Sequence, residues 1–409
     1  MQGLVNDWDI WETPRRHEDT EEVFVESLCV LHVSVVKSTG GDKLRILMVS
    51  KACLVGIYQR KLEEIARHED VELRVVVPPY WRDERGVLPL ERVHTDGYDL
   101  VVEPMALNGH FHLHFYPRLA RHLHDFRPDL VHLDEEPYNL ATFHGMVLAR
   151  RAGARTLWFS WQNLLRRYPP PFSLFERYCL RHADGAIAGS HTAAEVWRAK
   201  GYEGPLAVIP QFGVDPQRFS PLPRQEERPF TVGFAGRLVE EKGVDLLLRA
   251  AAGLPGVQVA ILGSGPLRSH LERLAEALGM ADRVSFLGTL PSPQMPEFYR
   301  RLDALVLPSR SRPNWVEQFG RVLVESMACG VPVVGAESGE IPHVIGDAGL
   351  LFPEDDGEAL RERLSRLMRN ADLRADLARR GRERVLAHYT QAKAAEETVA
   401  FYRRVLDRP

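Results

Sequence analysis

The sequence predicts an α/β protein built as two doubly wound parallel-sheet domains. From Leu44 onward, short continuous apolar runs alternate with amphipathic helical stretches, the pattern of parallel strands covered on both faces. The alternation stops at Pro210 to Pro229, a stretch rich in proline and polar residues with no period, and then begins again. The length, 409 residues, exceeds what one hydrophobic core ordinarily serves.

In the first series the expected strands are Leu44–Val49, Val71–Val77, Leu100–Val102, Leu130–Leu133, Thr156–Phe159, Gly185–Ala188 and Leu206–Ile209. Helices fit at Tyr58–Arg67, Tyr116–Phe126, Tyr138–Arg151, Phe172–His182 and Thr192–Lys200. The second series has strands Phe230–Ala235, Val257–Leu262, Val284–Leu287, Ala304–Leu307, Val331–Val334 and Leu350–Phe352. Its helices are Val244–Ala252, Leu267–Leu278, one after Phe319, Glu358–Met368, Ala371–His388 and Gln391–Leu406. The division expected is a first domain over 44–212, a linker over 213–229, a second domain over 230–388 and a terminal helix over 389–409. Residues 1–43 lack clean periodicity and read as an appended or mis-started segment, with an extra strand at Phe24–Val30 or Leu31–Val36 as the competing view.

Composition narrows the function. A net charge of −4 gives no basic surface for general nucleic-acid binding. Four scattered cysteines, Cys29, Cys53, Cys179 and Cys329, with no Cys-x-x-Cys pair argue against a zinc site and a disulfide framework, and fit a reducing cytoplasm. No run has the length of a membrane span, and the N-terminus lacks signal-peptide order.

The stretch Trp315 to Pro332 carries the chemistry. Glu317 stands before an apolar-periodic run (Phe319, Val322, Leu323, Met327), so it approaches a helix N-terminus. Gly320 lies where backbone N–H groups lack intrahelical partners and the helix presents its positive pole, a site for phosphate. Eight helical steps from Glu317 to Glu325 would rise about 12 Å. Two carboxylates and a phosphate-binding turn in that span suit a nucleotide-sugar. On spacing alone, two glutamates on such a helix read as solvated surface residues. Upstream, the turn Gly236 to Gly243 carries Arg237 and Lys242, a rigid fork and a compact point charge suited to a pyrophosphate. Gly263-Ser264-Gly265-Pro266 makes the next turn.

Glu-x-Phe-Gly-x-x-x-x-Glu followed by Ser-Met-Ala-Cys-Gly-Val-Pro-Val-Val resembles the signature of the family 4 retaining glycosyltransferases, which have the GT-B fold: two Rossmann-like domains facing across a cleft. Gly-Arg-Leu-x-x-x-Lys-Gly at Gly236 to Gly243 resembles that family's diphosphate clamp. The resemblance covers most of the C-terminal half. It implies donor-binding roles for Arg237, Lys242, Gly263, Glu317, Phe319, Gly320, Arg321, Glu325, Ser338 and Gly339. Arg237, Lys242 and Glu317 would serve catalysis, Glu325 would hold the ribose, and the terminal helix would return to the first domain. Ser338-Gly339-Glu340-Ile341-Pro342-His343 departs from the family's Gly-Gly-x-Pro-Glu, with Glu340 for a glycine and His343 for a glutamate.

The first domain departs further. The loop Ser50 to Gly56 has one glycine where many relatives have two, and Gln162 stands where many carry a histidine. Gln162 takes no proton at neutral pH; the front-face route that the resemblance implies would let the leaving phosphate itself accept the acceptor's proton. Gly56, Glu135, Glu136, Gln162 and Asn163 are the acceptor-side candidates, with Asp134 beside them; helix capping is the competing role for the three acids. His110, His112 and His114 alternate as if on one strand face, yet the resemblance implies no metal, and no Asp-x-Asp motif appears where a metal-bound nucleotide would need it. Trp158, Phe159 and Trp161 read as core first, and as a lipid-facing surface with Arg166 and Arg167 second.

The expected activity is hexosyl transfer from a nucleotide-diphosphate sugar to a saccharide, lipid-linked or small-molecule hydroxyl, in the cytoplasm or peripherally at the inner face of the membrane. No cofactor and no nucleic-acid partner are expected. The alternatives are a nucleotide-sugar 2-epimerase of the same fold and a catalytically degenerate nucleotide-sugar-binding scaffold.

Overall fold

A computed structural model describes residues 43–84, 86–222 and 228–407. The two candidate strands before residue 43 lie outside the described residues. The first half runs β1 (Leu44–Val49), α1 (Arg60–Ala66), β2 (Val71–Val77), β3 (Tyr80–Asp83), β4 (Gly86–Pro89), β5 (Asp99–Val102), α2 (Leu119–Phe126), β6 (Leu130–Leu133), α3 (Leu140–Arg151), β7 (Arg155–Ser160), α4 (Phe172–His182), β8 (Gly185–Ala188), α5 (His191–Ala199) and β9 (Leu206–Val208). Seven of these strands form one parallel sheet in the order β5-β2-β1-β6-β7-β8-β9. Its centre is buried on both faces, which is why its strands read as unbroken apolar runs. Along β1 the period of two is explicit: Ile46 and Met48 join the cluster under α1, while Leu47 and Val49 join the cluster under α2 and α3.

The second half runs β10 (Thr231–Ala235), α6 (Val244–Ala252), β11 (Gln258–Leu262), α7 (Arg268–Ala277), β12 (Val284–Phe286), α8 (Met295–Arg300), β13 (Ala304–Leu307), α9 (Arg321–Ala328), β14 (Val333–Ala336), α10 (Ile341–Ile345), β15 (Leu350–Phe352), α11 (Gly357–Arg369), α12 (Ala371–His388) and α13 (Gln391–Leu406). Its sheet is parallel, in the order β12-β11-β10-β13-β14-β15.

Two chain crossings join the halves. Val214 N–H donates to the Tyr389 carbonyl (2.8 Å), and Gln391 N–H returns to the Val214 carbonyl (3.1 Å). Val214 and Phe219 pack into the second core, so this proline-rich stretch is anchored there. Beyond the crossing, Thr390 caps α13, whose Val399, Phe401, Tyr402 and Val405 complete the first core. The terminal helix therefore closes back on the first domain.

Two local expectations are corrected, and one element is new. His110, His112 and His114 lie in consecutive turns closed by a single Ala106–Phe115 bridge, not on a strand. The strand expected from Val331 starts at Val333, because Val331 N–H is used on the Ser326 carbonyl to finish α9 and Pro332 has no N–H to offer. The β3–β4 hairpin was not anticipated: four-residue strands ending in Asp83 and Pro89 carry too little pattern.

Candidate active site

Each sheet reverses its strand order once, between β1 and β6 and between β10 and β13. Ligands of open α/β sheets bind outside the carboxyl ends of the strands at such points. The loops leaving β10 and β13 carry Arg237, Lys242 and Glu317; those leaving β1 and β6 carry Ser50, Lys51 and the acids Asp134, Glu135 and Glu136. Residues assigned to donor and acceptor from sequence thus gather at the two switch points.

On the second sheet the centre is a three-residue knot. Lys242 Nζ lies 2.7 Å from Glu317 Oε2, and Ser309 Oγ donates to the same oxygen at 2.8 Å. Glu317 is only 2% exposed, so the ammonium compensates a carboxylate largely withdrawn from water. Lys242 also stands 4.8 Å from the centroid of the Trp315 ring. Arg237 is exposed on the same β10–α6 connection. That connection is held by Leu238 N–H on the Ser264 carbonyl (2.8 Å). The hold requires Gly263, where a Cβ would fall 1.8 Å from the Gly236 carbonyl oxygen.

Gly320, with φ 77°, is the N-cap of α9, and no side chain caps this end. The first-turn N–H groups of α9 accordingly keep the anion-binding character expected of them. Phe319 and Arg321 flank that cap. Glu325, one turn further, is 2% exposed and already engaged: Tyr299 Oη donates to it at 2.6 Å and Arg321 Nε at 2.8 Å. Arg321 also reaches Tyr58 Oη of the first domain at 3.0 Å. Ser338 Oγ meets Ser311 Oγ at 3.0 Å, and Gly339 packs on the backbone of Glu317, where a Cβ would come 2.2 Å from the Glu317 carbonyl oxygen.

The first sheet's switch point is a buried acidic row. Asp134 accepts from Ser50 Oγ (2.6 Å) and Gln211 Nε2 (3.0 Å). Burial raises its pKa, against the Ser50 hydrogen bond and nearby Lys61. Burial alone would raise Glu135 too, but the Lys51 ammonium (3.9 Å) and His114 (3.4 Å) outweigh it and bring its pKa down to about 2. Burial pushes Glu136 up to about 7 although Ser160 Oγ and Trp161 N–H donate to it. Lys51 is packed between the Trp81 and Phe111 rings, so the unanticipated hairpin roofs this row.

A cavity between the domains is lined by Glu136, Gln162, Asn163 and Tyr168 on one side and Trp315, Val316 and Gln318 on the other. Asn163 Nδ2 donates to the carbonyls of Val316 (3.2 Å) and Glu317 (3.3 Å), while Gln318 Nε2 answers on the Trp161 carbonyl at 3.0 Å. Gln162 is tied to Tyr168 Oη and the Leu164 carbonyl. Asn163 therefore meets the Glu317 loop directly, while Gln162 and Glu136 line the same cavity. Gly56 does not, being held by Glu91 (2.7 Å), and Glu135 faces Lys51 rather than this cavity. His112 is spent on Asn139, and among the described residues no group of three His, Cys, Asp or Glu side chains is placed to hold a metal ion. Trp158 and Phe159 are core residues, 0% and 3% exposed. Sequence reading missed Ser309, Trp315 and Tyr299; Ser309 alone had a signal, its place just past the strand that ends at Leu307.

Two parallel-sheet domains with their strand ends on one cleft define the GT-B architecture, and solved structures agree. A sucrose-phosphate synthase from Thermosynechococcus elongatus superposes with TM-score 0.65 at 21% identity, over 89% of this chain and 99% of that one. The Anabaena protein HepE, solved with UDP, gives TM-score 0.67 at 19% identity over 88% and 100%.

The chain belongs to the glycosyl transferases group 1 family. That domain matches residues 217–384, and a glycosyl transferase 4-like domain matches 55–211. Curated relatives include a 2-deoxystreptamine N-acetyl-D-glucosaminyltransferase of Streptomyces fradiae, 33% identical over 58% of this chain and 61% of its own length. A GDP-mannose-dependent alpha-(1-6)-phosphatidylinositol monomannoside mannosyltransferase of Mycolicibacterium smegmatis is 32% identical over 59% and 68%. Across the curated relatives the matches span from about a third to about two thirds of the relative's own length.

Proposed function

We propose that this chain transfers a hexosyl-type sugar from a nucleoside diphosphate sugar to an acceptor hydroxyl, with retention of anomeric configuration and without a divalent cation. The observation that carries the reading is the Lys242–Glu317–Ser309 knot beside the uncapped start of α9. As the bond from the anomeric carbon to the phosphate oxygen breaks, negative charge grows on the departing diphosphate. Arg237, the remaining N–H donors of Lys242 and the α9 amides are the groups to stabilise it. Glu317 stands to balance positive charge at the anomeric carbon, and the acceptor's proton passes to the leaving phosphate as the new bond forms on the same face. Glu325 would hold the ribose through lone pairs not used by Tyr299 and Arg321. The relatives' names, an N-acetylglucosaminyl- and a mannosyltransferase, support a hexosyl donor.

The acceptor takes the inter-domain cavity, where Glu136, Gln162 and Asn163 offer hydrogen bonds and Trp315 and Tyr168 offer ring faces. Among the described residues no helix is long and apolar enough to cross a membrane. Peripheral contact with a lipid-linked acceptor is supported by Leu165 (65% exposed) and Leu174 (48%) beside exposed Arg167 and Arg177, on the loop that continues from this cavity and on α4, which follows it.

The test is nucleotide release from UDP-, GDP- and ADP-sugars with and without saccharide and glycolipid acceptors, in the presence of EDTA, with the product anomer read by NMR. Release that depends on acceptor and yields a retained linkage is expected. Sugar alteration without acceptor, or donor consumption unchanged in an Arg237→Glu/Lys242→Glu variant, would overturn the reading.

A further inference from the structure

We propose that Glu340 is a positioning residue that couples closure of the two domains to the placement of Glu317. The inference rests on the proposed transfer reaction for its catalytic readout only.

Glu340 belongs to the second domain, at the N-cap of α10, and is 3% exposed. Its carboxylate accepts four hydrogen bonds, all from the first domain. They come from His191 N–H (2.9 Å), His191 Nδ1 (2.8 Å), Thr192 N–H (3.0 Å) and Thr192 Oγ1 (3.0 Å). These donors open α5, whose own cap, Ser190, already serves Ala193 N–H at 3.2 Å. The two domains thus share one helix start between them, with a carboxylate at its positive pole. His343 of the second domain stacks on His191, ring centroids 4.6 Å apart and 23° from parallel.

The other end of the same turn reaches the active site. Glu340 N–H donates to the Glu317 carbonyl at 3.1 Å, and Gly339 (φ 53°) packs so closely on that carbonyl that no side chain fits. One residue therefore binds the first domain by its side chain and the Glu317 loop by its backbone. Glu340 and His343 are the two positions where this turn departs from the family pattern, and both meet His191. The departures form one contact, visible only when the domains are brought together.

The experiment measures separation of the domains by spin-label distances in the full chain, alongside turnover and nucleoside diphosphate affinity. For Glu340→Ala the domains should move apart and kcat should fall by about ten-fold or more, with nucleoside diphosphate affinity kept within about three-fold. His191→Ala should act in the same direction with a smaller effect. The double variant should fall no further than Glu340→Ala alone, as expected of two groups in one contact. Unchanged separation and kcat in Glu340→Ala, or losses that multiply in the double variant, would overturn the proposal. If Glu340→Ala does not fold, His191 at the half-exposed surface decides, and a silent His191→Ala overturns it. If no transfer is seen with the parent protein, the distance measurement still tests the contact, so failure of the reaction and failure of the clasp are told apart.

Discussion

The two switch points face one cleft but manage their charge in opposite ways. On the second sheet a single buried carboxylate, Glu317, is met by an ammonium and a hydroxyl. On the first, three consecutive acids are buried in a row and each takes a different partner: Ser50 and Gln211 for Asp134, Lys51 and His114 for Glu135, Ser160 and Trp161 for Glu136. At the donor end the carboxylate is paired with a cation. Shared neutral donors leave Glu136 able to change protonation near pH 7. The difference teaches that equivalent sheet edges can be built around one cation-paired carboxylate on one side and, on the other, around a row of acids that holds an exchangeable proton at Glu136.

The strongest way to break this contrast is to strip the donor end of its cation. Lys242→Ala leaves Glu317 buried with Ser309 alone and should cost about 3 kcal/mol of stability in denaturant titration. Turnover should fall by about a thousand-fold, since electrostatic help at the leaving group is lost with it. A variant as stable and active as its parent would remove the knot from the mechanism. Glu317→Gln keeps a side chain for Ser309 but removes the charge. Turnover should fall by about a hundred-fold with donor affinity nearly unchanged, and a loss confined to affinity would reassign Glu317 to binding.

The acceptor end predicts a pH dependence instead. Glu136 has its pKa raised by burial from 4.5 to about 7, so the folded state holds a proton that the unfolded state has released between those values. Its contribution is therefore present below about pH 4.5 and lost as pH rises through 7, by roughly 3 kcal/mol in total. Glu135 runs the other way: its lowered pKa contributes stability above about pH 4.5 that is lost as pH falls toward 2. Between pH 5 and 7 His112, His132 and His144, whose pKa values burial lowers, contribute a slope of opposite sign, so the test is the difference: Glu136→Gln should lose less stability across that window than the parent. Parallel curves would return the acid row to a purely structural role. The smallest effect concerns the terminal helix. His132 Nδ1 meets Tyr402 Oη at 2.7 Å inside the first core, and Tyr402→Phe should cost about 1 kcal/mol without altering donor affinity.

Legibility followed the range of the physics. Buried parallel strands and amphipathic helices announce themselves over five to ten residues, so most elements were placed to within a few residues. Where a backbone donor had a second use, the reading slipped: Val331 looks like strand but its N–H ends α9. Alternation misled at His110 to His114, because a turn can alternate as readily as a strand when no neighbour pairs with it. Tyr299 could not be connected to Glu325 from sequence, and Trp315 carries no periodic signal that would mark it as a cavity wall.

By itself, the sequence determined the two-sheet architecture and the candidates at the donor end, since hydrophobic period, the Gly-Arg-Leu turn and the Glu-x-Phe-Gly run are all local patterns. Only tertiary structure decided which donor each carboxylate receives. It set Lys242 on Glu317, Tyr299 on Glu325, Lys51 on Glu135 and Glu340 on the start of α5. Such pairings join residues from different elements, in the last case from different domains. A buried charge takes whichever partner the folded backbone brings within reach, and chain order does not record that distance.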